Sequence, residues 1–276
     1  MDNSIQYRYL IDQILQSKPN TAFSSVNSAK KVDGDGHWYL HVQARDTAGN
    51  LSDIVSVSAI LDNSPPIISG LLNNDMPKKS QQWTWAIEDA DPEVLCRYSV
   101  DQNTFFAATG AFQKQNKVNI SALDGKYYLH VQAKDRANNI SDVITVYSIL
   151  DQKLPVITGL VNDRIPKKAK QWHWKAIDQD SKILYRYILD KNVNTSPAGS
   201  FSASTHDELS KPDGQWFIHV QAKDRAGHLS DVVSVSTIID NTPPLITGLR
   251  DVPVPCFSKI WHWSSDDSDS DILYRY

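Results

Sequence analysis

The sequence predicts an all-β chain, a tandem array of antiparallel β-sandwiches of about 89 residues each. Three observations predict it. Tyr9, Tyr98, Tyr187 and Tyr276 stand 89 residues apart. Within each interval the apolar residues alternate with a period of two, the spacing of a strand with one buried face. Gly, Pro, Asn and Asp separate the alternating runs, and no amphipathic helix of useful length interrupts them. Residues 124–159 and 213–248 are identical at 20 of 36 positions without a gap, which similar composition alone does not produce. The interval is longer than the roughly 20–50 residues of solenoid and propeller repeats, so each unit is expected to own its core.

The elements follow in order. Trp83-Thr84-Trp85, Trp172-His173-Trp174 and Trp261-His262-Trp263 share one phase. Residues two apart on a strand point the same way, so each pair of indoles shares a face, and Ile87 continues it; this face is read as core rather than as a platform for sugar rings. Next come Tyr7-Arg8-Tyr9, Cys96-Arg97-Tyr98 and Tyr185-Arg186-Tyr187, in which Tyr185, Tyr187 and Leu189 turn inward and Arg186 outward. A longer strand then sets Trp38, Leu40, Val42 and Ala44 on a buried face and Tyr39, His41, Gln43 and Arg45 on a wet one. Its neighbour carries Val55, Val57, Ala59 and Leu61 on one side and Ser56 and Ser58 on the other. Between these two strands an Asp opens a short loop that ends near Gly49, Asn138 or Gly227, residues that tolerate positive φ.

The boundaries fall at LDNSPP (61–66), LDQKLP (150–155) and IDNTPP (239–244). Proline fixes its own φ and restricts its predecessor, so these are short, stiff joints and the array is expected to be a semi-rigid rod. The domains are then 1–62, a partial unit; 63–152 and 153–241, two whole units; and 242–276, a second partial unit.

Composition narrows the function. Lys and Arg number 28 against 32 Asp and Glu, so the net charge is −4 and the basic surplus that nucleic acid demands is missing. No run approaches the ~20 apolar residues of a membrane span. The opening MDNSIQYRY lacks a basic segment followed by an apolar one, and the phase of the repeat suggests an internal piece of a longer protein. Cys96 and Cys256 occupy different phases, so no disulfide framework is expected and packed cores must hold each unit.

The string DGQWFIHVQAKDRAGHLS, followed by a strand and an IDNTPP joint, resembles the tandem immunoglobulin-like and fibronectin-type-III-like domains of large bacterial surface proteins and adhesins. The likeness covers the whole chain. It implies tandem immunoglobulin-like sandwiches in which residues 1–62 lack the first two strands and residues 242–276 supply the first three. Two molecules could pair these halves head to tail, a self-association that stands beside the plainer reading of an incomplete piece. Many such domains place a tyrosine where Trp38 and Trp216 stand; Tyr127 keeps it, so a corner held by a hydroxyl is expected in one copy only. The resemblance further implies an extracellular or cell-surface setting and a non-catalytic stalk or spacer, with neighbouring repeats as partners. Its alternatives are a module that binds a host or matrix protein or a glycan, and an accessory region of a secreted hydrolase.

The candidate sites are acidic and aromatic. Asp89 with Asp91 and Asp178 with Asp180 form an Asp-x-Asp in the turn after the tryptophan strand. In the sandwich topology that turn shares a pole with Asp135, Asp142, Asp224 and Asp231 of the hairpin loops and with Asp62 and Asp151 of the joints. Calcium takes about 6–8 oxygen ligands, and such convergence at domain junctions suits it. Asp is equally a turn former whose oxygens cap backbone amides, and that reading leads. Arg97, Tyr128, His130 and Gln132 form a polar stripe on the wet face that could dock a partner, or in which Arg97 lies across Tyr128 as a local cation–π contact. The histidines show no second ligand at metal spacing, and no catalytic motif is present, so no enzyme is expected.

Overall fold

The computed structural model describes residues 5–105, 107–179 and 182–267. Among the described residues every element is a β-strand, and the strand pairings set out below are antiparallel. The chain forms two compact units: the first runs to residue 148 except for 75–81 and 121–125, and those two segments belong with residues 149–276 in the second.

In the second unit the tryptophan strand is interrupted at Trp174. Its first half, Lys170–His173, pairs with His206–Leu209, and its second half, Lys175–Ile177, pairs with Val156–Thr158. The other sheet has Leu184–Asp190, Gly214–Lys223 and Val233–Ile239 in that order. Between the two layers lie Trp172, Trp174, Tyr185, Leu209, Ile218, Val220 and Val235. Trp174 packs on Tyr187 with ring centroids 5.1 Å apart. Burying an indole removes about 200 Å² from water, on the order of 4–5 kcal/mol of gross stabilisation for each tryptophan. The exposed edge of the last strand is covered by residues 163–167, which run parallel to it through Lys167 N to Ile238 O (3.0 Å) and Asp240 N to Lys167 O (3.0 Å).

The first unit repeats the plan. Ile67–Ser69 pairs with Ala86–Glu88, and Leu95–Asp101 lies against the strand Gly125–Lys134 in a register that sets Tyr98 opposite Val131. Trp83 and Trp85 are buried among Cys96, Leu129, Val131 and Val146. The indole pairs are therefore core in both units. Residues 6–61 add a three-stranded sheet of Gln6–Asp12, Gly36–Arg45 and Val55–Leu61. Its inward positions stay open: Val57 is 56% exposed, whereas Val146 and Val235, at the same phase, are 6% exposed. Trp261 and Trp263, in the last hairpin of the described residues, are likewise exposed.

The wet face of the long strand differs from expectation. His41, His130 and His219 are all fully buried. Each ring is pinned at both nitrogens: His219 Nδ1 meets Ser234 Oγ at 2.7 Å and its Nε2 meets Asn192 O at 2.9 Å. His130 does the same with Thr145 Oγ1 and Asn103 O, and His41 with Ser56 Oγ and Ile14 O. The loop that follows the Tyr-Arg-Tyr strand folds over the imidazole, so alternation in sequence marks two different buried environments rather than inside and outside.

The corner also differs. Trp38 Nε1 donates to Gly34 O and Trp216 Nε1 to Pro212 O, both at 2.9 Å and both four residues back. The indole N–H thus ties down the turn in the two copies where, for want of a phenol, no such bond was expected.

Two substitutions measure these contacts. His219→Ala empties a buried site and strips two polar partners, so urea denaturation is expected to show a loss of about 3 kcal/mol. Trp216→Phe removes one half-buried donor and is expected to cost about 1 kcal/mol in the same assay.

Candidate metal centre

The site grows from the loop after the long strand. An Asp opens that loop and caps it: Asp135 Oδ1 accepts Asn139 N at 2.8 Å and Oδ2 accepts Asn139 Nδ2 at 2.7 Å. Asp46 and Asn50 repeat the pair at 2.8 Å for each bond. In the third copy the partner is a histidine, with Asp224 Oδ1 taking His228 N at 2.8 Å and Oδ2 lying 2.9 Å from His228 Nδ1. Gly49, Asn138 and Gly227 hold φ of 86°, 71° and 88°, and the turn needs this left-handed residue to bring the chain back onto its Asp.

Two other segments reach the same place. The joint brings Asp62 and Asp151, whose Oδ1 atoms cap Ser64 N and Lys153 N, each at 3.1 Å. The turn after the tryptophan strand brings Asp89 and Asp178. The result is two carboxylate clusters: Asp62, Asp89 and Asp135 in the first unit, and Asp151, Asp224 and His228 in the second, each with its donor atoms within 4.8 Å of one another. His228 was not among the residues singled out by sequence, because a lone His in a loop carries no spacing signal; its alignment with Asn139 was the available clue.

The remaining candidates go elsewhere. Asp91 binds Arg136, with Nη2 at 2.8 Å and the backbone N of Arg136 on Oδ2 at 2.9 Å. The Arg136 guanidinium beside Asp91 holds its carboxyl below the usual range. Asp142 and Asp231 have exposed side chains and contribute backbone carbonyls to Ser141 and Ser230. Asp180 lies outside the described residues.

Asp151 stands apart from the others. It is 2% exposed, and its Oδ2 has no hydrogen-bond partner. Burial pushes its carboxyl above the ordinary value of 3.8, and the charges of Asp178, Asp224 and Asp124 push the same way. Three other acidic side chains thus act on Asp151, while Lys153 Nζ meets Asp124 Oδ2 at 3.2 Å and His228 Nδ1 lies 2.9 Å from Asp224 Oδ2.

The polar stripe is dismantled by the structure. Arg97 donates through Nε and Nη2 to Gln132 Oε1 at 3.1 and 2.7 Å and stacks over Phe112, 4.7 Å from the ring centre, not over Tyr128. Gln132 Nε2 in turn donates to Ser141 O at 2.9 Å, and Tyr128 sits edge-on to Tyr147. With His130 buried, the four residues do not form the continuous wet stripe that their alternation suggested. Arg8 over Phe23 and Arg186 over Phe201 repeat the stack at 4.8 Å, and these phenylalanines recur every 89 residues, a signal the sequence reading passed over.

A further set of carboxylates holds the joints. Asp213, of the Asp-Gly before the long strand, accepts Asn241 N and Nδ2 at 2.8 Å each and Thr242 Oγ1 at 2.6 Å. Asp35 takes Asn63 N and the Ser64 hydroxyl, and Asp124 takes Gln152 N at 2.6 Å.

No family model matches the chain, and no curated protein matches it. Solved structures do. The strand order described above is that of an immunoglobulin-like or fibronectin-III-like sandwich. Among the similar structures are the fibronectin(III)-like modules of Clostridium thermocellum CbhA, at 18% identity over 63% of this chain and 93% of that one, with a TM-score of 0.31. Others are the FN1–FN3 domains of chicken CNTN1 (14%, 86% and 90%, TM-score 0.30) and the D00–D0 domain of intimin (12%, 64% and 100%, TM-score 0.33).

The joint clamp titrates in a defined direction. The Thr242 hydroxyl, with Asn241, holds the Asp213 carboxyl below 3.8. A depressed folded value means the contribution is complete above the unfolded value and is lost as pH falls through the folded one. Wild type is therefore expected to melt above Asp213→Asn at pH 7, with the gap closing below pH ~3.5 in a pH series of thermal melts.

Proposed function

We propose that the chain is a non-catalytic structural spacer of a repetitive bacterial cell-surface or secreted protein, an adhesin, in which 63–152 and 153–241 are whole modules. One observation carries this reading: the polar residues that recur copy after copy are bonded to other parts of the same chain. The histidines pin a loop to the long strand, the arginines brace glutamine and phenylalanine, and the Asp-Gly aspartates clamp the joints. A repeated recognition surface would instead leave such side chains facing solvent. The likeness of DGQWFIHVQAKDRAGHLS to surface-protein repeats supports the extracellular setting. Among the described residues no helix is long and apolar enough to cross a membrane.

Pulling the chain by its ends in a force spectrometer tests the spacer reading. Two cooperative events are expected, each releasing about 30 nm, the contour of one 89-residue module at roughly 3.5 Å per residue. A glycan array probed with the same chain is expected to stay blank. A single gradual extension, or a saturable glycan signal, would remove the proposal.

A further inference from the structure

The two acidic clusters are built alike but differ at one position. Asn139 closes the loop in the first unit, and its amide also donates to Asp62 O at 3.0 Å, leaving both oxygens of Asp135 satisfied. His228 stands in its place in the second unit. An amide nitrogen is not a metal ligand, whereas a neutral imidazole is among the commonest. The substitution therefore turns an all-oxygen set into a mixed nitrogen and oxygen set.

Three observations converge on a ligand at that set. Asp151, Asp224 and His228 are 2%, 5% and 8% exposed, so the donors lie out of bulk water. Asp151 Oδ2 is buried without a hydrogen-bond partner, which costs free energy unless something else meets it. The donor atoms lie within 4.8 Å of one another, with His228 Nδ1 to Asp224 Oδ2 at 2.9 Å. A four-coordinate ion with bonds of about 2.0–2.2 Å holds its ligands about 3.4 Å apart, inside this range. Calcium asks for about 6–8 oxygens, which two carboxylates and a ring do not provide.

We propose that Asp151, Asp224 and His228 form a divalent transition-metal site of the zinc class, which ties the joint residue Asp151 to the loop 224–228. The metal takes the place of the hydrogen bond between His228 Nδ1 and Asp224, and the ring proton sits on Nε2. The cluster in the first unit, with Asp135 capped by Asn139, lacks the nitrogen donor and does not share this preference.

Calorimetric titration of the full chain, stripped with chelator, with zinc chloride and separately with calcium chloride tests the assignment. His228→Asn is the informative variant, because Asn139 shows that asparagine caps the same loop; Asp151→Asn keeps the Oδ1 cap on Lys153 N. The expected result is a zinc site of micromolar or tighter affinity, weakened at least 10-fold in each variant and unchanged in His206→Asn, which removes the exposed His173–His206 pair as a rival site. Metal-free melting temperatures of His228→Asn and wild type should agree, showing that the loop still folds. Zinc affinity unaltered by His228→Asn or Asp151→Asn, or calcium bound as tightly as zinc, would overturn the proposal.

Discussion

The long strand of each unit is covered on both faces, and the rest of the molecule is arranged to allow that. Ile218, Val220 and Ala222 point into the sandwich and are fully buried, while His219 on the opposite face is buried as completely. Apolar side chains need only other apolar side chains. Polar ones in the same depth need partners of the right kind, and each has them: a hydroxyl and a loop carbonyl for the histidine, an arginine and a serine carbonyl for the glutamine. The loop after the Tyr-Arg-Tyr strand, the phenylalanine under the arginine and the serine of the hairpin are all placed by this requirement. Three copies solve it with the same atoms, which is why the period of 89 is so well kept in these segments.

Much of the fold could be read from residues alone, because strand period and paired tryptophans are local signals. The indole faces of Trp83, Trp85, Trp172 and Trp174 are core, as their spacing required. What the sequence hid was the second cover. A His between two apolar neighbours reads as solvent-facing, since nothing in the strand itself announces that residues 27 positions away will close over it. The corner was hidden for another reason: with only a hydroxyl considered as donor, none was expected at Trp38 or Trp216, yet an indole N–H makes the bond. The acidic sites were partly visible, since Asp recurs at every loop, but chemistry at each depended on partners that periodicity does not show.

Aspartate does three different things here according to its surroundings. At the joints Asp213 stays in water and gathers amide and hydroxyl donors, which favour its charge. Asp91 meets a guanidinium and forms a geometrically ordered pair at the surface, worth little by itself in high dielectric. Asp151 has been taken out of water beside other carboxylates, where charge is penalised. The same residue type, at three different phases of the repeat, is thus a cap, an ion pair or a buried carboxyl held above its ordinary value, according to the partners and the burial each position provides.

The tryptophan corner sets two indoles apart from the core pairs and from the exposed Trp261 and Trp263. The core pairs sit in apolar surroundings, while Trp38 and Trp216 are half-buried, donate to a carbonyl and lie beneath the ammonium groups of Lys31 and Lys191, 4.3 and 5.1 Å from their rings. A cation over the ring and a polar N–H contact shift emission relative to a dry indole. The chain therefore carries its own pair of fluorophores, one reading the cohesion of the sandwich and the other the attachment of the turn that leads into its longest strand.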